Sequence, residues 1–167
     1  MRTLIVAVSL VFIGLIAKAQ DNDLTGKWKF AKIFDKNKNE YDLRDKEGSN
    51  KKILEKAKAD DSDFTQEDSM MVVFGSKMLF DLFSDATMEF KNDGTYEFVT
   101  QMEMGGRKKA PEQGTYTIDK SSKTVTTSTA KGGSNIQSYE LKDGLLYLTA
   151  KKEGMQKDMT VVLIKEK

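Results

Sequence analysis

The residues that most often carry hydrolytic, redox or metal chemistry are missing from this chain. It has no histidine and no cysteine. Serine–histidine, cysteine–histidine and histidine–zinc arrangements are therefore excluded, along with the commonest general base. Carboxylates remain. Glu89, Glu97 and Glu103 alternate toward the outside of their strands, and no inward carboxylate pair stands out. The acidic run "DDSDFTQED" (Asp60–Asp68) has the oxygen donors for a hard cation, but it reads more simply as a solvated loop and helix start. "DKNKNE" (Asp35–Glu40) begins like a calcium loop. It places Glu40 where that loop requires glycine and Lys46 where it requires the closing glutamate, which rules it out. The expectation is no enzyme, no metal and no cofactor.

The compartment is legible at the N-terminus. Arg2 precedes an apolar run from Leu4 to Ala17, and "AKA" (Ala17, Lys18, Ala19) is a small-x-small cleavage site. This is the pattern of a secretory signal peptide cleaved after Ala19, not of a membrane anchor. The remaining residues, 20–167, suit one domain with one core. Losing Arg2 and Lys18 takes the formal net charge from +1 to −1. Such a chain has no basic surplus for a phosphate backbone, so nucleic acid is not an expected partner. An exported domain without disulfides fits a bacterial periplasmic or secreted protein.

Elements must position whatever the chain binds, and from Ser84 onward these are short strands. "NDG" (Asn92–Gly94), "DKSSK" (Asp119–Lys123), "KGGS" (Lys131–Ser134), "KDG" (Lys142–Gly144) and "KEG" (Lys152–Gly154) are turn signals between alternating segments. Eight strands are expected: 27–33, 87–91, 95–104, 113–119, 124–130, 136–141, 145–150 and 158–164. Strands at this spacing without intervening helices form an up-and-down meander, and eight can close into a barrel around one small ligand. Period two turns Tyr96, Phe98, Thr100, Met102 and Met104 to one face, and Tyr116 and Ile118 likewise inward. The last two strands are apolar on both faces, which calls for a second layer outside them.

Residues 34–86 interrupt the meander between the first and second of these strands. "FTQEDSMMVVFGSKMLFDLFSD" reads as a helix with Thr65 as N-cap and Glu67 and Asp68 favourably placed at its positive end. A strand reading of "MMVVF" competes with it. On a helical wheel Met71, Val72, Gly75, Met78, Leu79, Leu82 and Phe83 form the docking stripe. Met70, Phe74 and Phe80 fall outside it. A shorter helix is expected within Ser49–Ala59.

The single tryptophan, Trp28, stands two residues after Gly26 at the head of the first strand, in "LTGKWKF" (Leu24–Phe30). Together with "MEFKNDGTYEF" (Met88–Phe98), "GTYTID" (Gly114–Asp119) and "YELKDGLLYLT" (Tyr139–Thr149), this resembles the lipocalin superfamily, and more narrowly the bacterial lipocalin-like domain family. The resemblance implies an all-β, eight-stranded antiparallel barrel with the helical insertion between strands one and two. It implies that Gly26 and Trp28 are structural, with Trp28 plugging the closed end. It also implies an arginine near the last strand against that indole. Arg2, Arg44 and Arg107 are elsewhere, and only Lys165 and Lys167 stand near that strand.

Two functions follow. The first is an exported carrier of a small apolar or amphipathic ligand. Its candidate lining is Phe30, Met88, Phe90, Tyr96, Phe98, Met102, Tyr116 and Ile118, with Phe74 and Met78 on the lid helix. The second is a filled barrel that acts through contact with another protein, using the apolar helix. The same large inward side chains suit a cavity wall and a filled core equally well, so both stay open.

Overall fold

The computed structural model describes residues 24–100, 103–104, 107–108, 110–151 and 158–167. The leader read in residues 1–19 and Met102 lie outside the described residues. The described residues form a closed eight-strand antiparallel up-and-down barrel of lipocalin-like fold with two helices. Its strands are β1 (Gly26–Phe34), β3 (Thr87–Phe90), β4 (Thr95–Val99), β7 (Glu112–Asp119), β8 (Thr124–Thr129), β9 (Ser134–Lys142), β10 (Leu145–Ala150) and β11 (Thr160–Lys165). Each pairs with the next, and β11 returns to β1 to close the barrel. A small hairpin, β5 (Glu103–Met104) with β6 (Arg107–Lys108), extends beyond β4.

The insertion does not begin directly after the first strand. A short strand, β2 (Glu40–Asp42), pairs with the far end of β1 before α1 (Lys46–Asp60) and α2 (Gln66–Phe83). The helices therefore lie between β2 and β3. Asp35 makes the β1–β2 turn compact: its Oδ1 accepts from the backbone N–H groups of Asn37 and Asn39. A lone three-residue strand has too few side chains to show alternation, which is why β2 is invisible in the sequence pattern.

One edge of β1 thus has two partners. Gly26–Lys29 pair with β3, and Lys32–Phe34 pair with β2. The change occurs at Ala31, where a register shift between Phe30 and Lys32 interrupts the pairing with β11. Trp28 and Phe30 are buried before the shift and Ile33 after it, so the extra residue flips the inward parity of the strand. This is the action of a β-bulge, which bends one strand and re-aims its side chains.

Trp28 lies at the closed end, 2 % exposed. Its indole Nε1–H donates to the Leu24 carbonyl at 2.7 Å. Leu24, Phe90, Tyr116, Val125, Leu146 and Leu163 are buried in the same core. Phe90 and Tyr116 meet edge to face, with ring centroids 4.9 Å apart. The cation expected from an arginine is supplied by Lys165, whose Nζ lies 5.3 Å from the Trp28 ring centroid. Gly26 admits it: its φ is +121°, and a Cβ there would stand 2.9 Å from Lys165 Cε. The second layer anticipated outside the last strands is small. Val162 faces outward yet is buried, flanked in register by Lys32 and Tyr147, whereas Ile164 stays partly open.

Both helix starts follow from their caps. Asp45 accepts from the Gly48 N–H at 2.9 Å. Thr65 and Asp68 form a reciprocal capping box. The docking stripe of α2, however, is turned by about a quarter turn from the expected one. Ser76, Phe80 and Phe83 are buried, with Val72, Leu79 and Leu82 packed beside them. Met71 and Met78 are 66 % and 54 % exposed, and Phe80 is 3 % exposed. A hydrophobic wheel discounts Ser76, yet Ser76 sits at the centre of the buried face. Its small hydroxyl satisfies itself on the Val72 carbonyl at 2.8 Å, which permits close packing without an unpaired polar atom.

Replacing Trp28 by alanine empties the closed end. The expected loss is ~3–5 kcal/mol, read by urea denaturation followed by circular dichroism. A loss within a few tenths of a kcal/mol would contradict the burial.

Candidate functional site

A cavity of about 410 Å³ occupies the interior between the packed closed end and the helices. Its apolar wall includes Phe30, Met88, Phe98, Leu148 and Val161 from the strands. α2 contributes Leu82 and Phe83. The Phe83 ring stacks on Phe30 at 5.4 Å, and Phe30 in turn lies 5.6 Å from Phe98. Phe80 meets Tyr41 of β2 edge-on at 6.2 Å. The helix therefore reaches the cavity through its C-terminal turn, and β2 is the strand that receives it.

The opposite wall is polar. Thr100, Thr127, Thr129, Asn135, Gln137 and Glu112 line it. Glu112 reaches inward because it shares a face with Gly114, Tyr116 and Ile118 in β7, of which Tyr116 is fully buried. Gly114 lies opposite Tyr96 in the β4–β7 register. A Cβ at Gly114 would stand 2.8 Å from Tyr96 Cε1 and 2.0 Å from the Ser128 carbonyl oxygen. The glycine thus makes the gap across which the Tyr96 ring lies. The Tyr96 hydroxyl then donates to Glu112 Oε1 at 2.9 Å.

Burial pushes the Tyr96 phenol up to about 12, and the hydrogen bond and charge of Glu112 push the same way. Tyr96 is a proton donor across the physiological range, and its role toward Glu112 is to hold one carboxylate oxygen. Burial, with Asp35 adding to it, likewise moves Tyr41 to about 12.

The expected lining divides accordingly. Phe30, Met88, Tyr96 and Phe98 line the cavity. Phe90 and Tyr116 do not, because they fill the closed end beside Trp28. Ile118 packs against that same core without lining the cavity. Phe74 and Met78 are exposed on α2, away from the mouth, and Leu82 and Phe83 take the lid positions. Phe74 and Met78 therefore belong to an outer stripe with Met70 and Met71, all more than half exposed. The expected lining contains neither Glu112 nor the β8 threonines Thr127 and Thr129. Extending the alternation of "GTYTID" two residues upstream places Glu112 inward, so the signal was there.

The tyrosine shifts make stability fall with alkaline pH. Both phenols stay protonated in the folded chain after they ionise in the unfolded one, so the unfolded state binds fewer protons above pH 10. Their contribution is complete below about pH 10 and is lost progressively up to about pH 12. Tyr96→Phe should flatten this slope relative to the wild type and cost about 1 kcal/mol at neutral pH. Urea denaturation at a series of pH values checks both. An unchanged slope would mean that Tyr96 ionises normally.

Residues 85–158 match the NlpE N-terminal domain family, a stretch that runs from the start of β3 through β10. The chain is also similar to a solved DUF4847 family protein from Bacteroides vulgatus. That protein is 15 % identical with a TM-score of 0.48, over 86 % of this chain and 96 % of the other. No curated protein matches. The matched stretch holds six of the eight barrel strands, and β1, β11 and the helical insertion lie outside it.

Proposed function

We propose that this protein is an exported barrel that binds a small amphipathic molecule in the cavity between its packed closed end and α2. The leader pattern in residues 1–19 and the likeness to the NlpE N-terminal domain support export. The observation that carries binding is the cavity itself: about 410 Å³, apolar on one side and polar on the other. Ligand sites have this character, with mostly apolar walls and a few placed polar groups. Its size falls within the range of small-molecule sites, which begins at roughly 300 Å³. A binding role suits the chemistry better than catalysis. Neither histidine nor cysteine is present to act as base or nucleophile, and the Tyr96 phenol, held up to about 12, is far from the poise of a general base. The more specific membership, a bacterial lipocalin-like protein, rests on the Gly26–Trp28 signature and the barrel order.

A second reading has its own observation. Met70, Met71, Phe74 and Met78 form an exposed apolar stripe on α2, which favours contact with another protein. The stripe and the cavity use different residues, so the two roles are separable.

A neutral apolar dye such as N-phenylnaphthylamine should bind the purified protein with enhanced fluorescence. Gln137→Trp, placed at the polar wall, should fill part of the cavity and weaken binding at least about tenfold while leaving the fold intact. Phe74→Ser on the outer stripe should leave dye binding unchanged. A wild-type protein that binds no apolar dye would remove the carrier reading.

A further inference from the structure

The geometry points to an amine-bearing amphiphile as the ligand class: an apolar body held against Phe30, Phe98 and Leu148, and an ammonium head on Glu112. This rests on the carrier reading and adds the chemistry of the head group. Three observations carry it. Among the described residues that line the cavity, Glu112 is the only ionisable group besides Tyr96, and no lysine or arginine is among them. Nor does any ion pair among the described residues include Glu112. Tyr96 occupies Oε1 of Glu112, which leaves Oε2 as an acceptor at the cavity surface.

The position of Glu112 fits a head group. It pairs with Phe98 in the β4–β7 register, one residue pair beyond the Gln113–Glu97 pair and farther from the Tyr116 level of the closed end. A chain entering between α2 and the polar wall would pass its apolar end down toward Leu148 and Val161. Its head would then remain beside Glu112, Thr129 and Asn135. An ammonium there gains a charge-assisted hydrogen bond to a carboxylate that has no ion-pair partner among the described residues. A neutral alcohol keeps only an ordinary hydrogen bond. A carboxylate head would meet Glu112 with like charge in a partly desolvated space, which disfavours its binding. The cavity therefore selects against fatty acids, the ligands that its apolar wall alone would suggest.

The test is displacement of N-phenylnaphthylamine from the purified protein at neutral pH by decylamine, decanol and decanoate, each below its micellar concentration. The expected order is decylamine tightest, about tenfold tighter than decanol, with decanoate weakest. Glu112→Gln should bring decylamine within about twofold of decanol and leave decanol itself little changed. Glu97→Gln removes a carboxylate that hydrogen-bonds the exposed Gln113 side chain and should leave the order as in the wild type. Decanoate binding as tightly as decylamine to the wild type would overturn the inference, whether or not the variants fold. So would a head-group order that Glu112→Gln does not change. Dye and decanol binding without head-group preference removes the amine assignment alone, whereas failure of the dye and all three competitors removes the carrier reading with it.

Discussion

Everything in this fold depends on one strand having to satisfy three neighbours. β1 pairs along its length with β11, which closes the barrel, and its other edge is divided between β3 and β2. A regular strand cannot do this without pointing half of its large side chains the wrong way. The bulge at Ala31 resolves the conflict. Before it, Trp28 and Phe30 face in; after it, Ile33 does. Closure also leaves no long sheet edge among the described residues for pairing with another chain.

The two ends of the barrel then differ by necessity. Toward Gly26, the inward positions hold Trp28, Phe90, Tyr116 and Leu146, and aromatic packing fills the space. Lys165 completes this end by placing its ammonium over the indole that an arginine was expected to cover. Toward Ile33, β2 receives α2, and the walls between helix and barrel are lined by Phe30, Phe83 and Phe98 on one side and threonines on the other. Polar inward residues do not pack into one another as rings do, so space remains where β8 presents Thr127 and Thr129. The cavity is thus a consequence of which residues the strands place at that level.

Much of the barrel was legible in the sequence because alternation and turn glycines report directly on strands. All eight barrel strands lie where the pattern puts them, but the strand expected over 95–104 ends at Val99, and residues 103–104 pair in a separate hairpin. The Thr65 cap was legible for a similar reason: capping is local chemistry within four residues. What failed were features set by packing at a distance. The buried face of α2 is chosen by what it meets, Tyr41 and Phe30, and centres on Ser76. A helix that is apolar nearly all round leaves that choice open. The site was half legible. Phe30, Met88, Tyr96 and Phe98 line the cavity, whereas Phe90 and Tyr116 share their parity and fill the closed end. Alternation tells inside from outside, not how far along the barrel a residue sits. Glu112 was passed over because an inward carboxylate contradicts the simple rule that inward means apolar.

Methionine methyl groups offer the most direct measurement. Met88 and Met159 line the cavity, while Met70, Met71 and Met78 lie exposed on α2. Isotope-labelled methionine methyls, followed by NMR during titration with decylamine, read both regions at once. Binding in the barrel predicts that the Met88 and Met159 signals shift in a saturable way while those of Met70, Met71 and Met78 stay in place. Saturable shifts confined to the three helix methionines, with Met88 and Met159 unmoved, would contradict it.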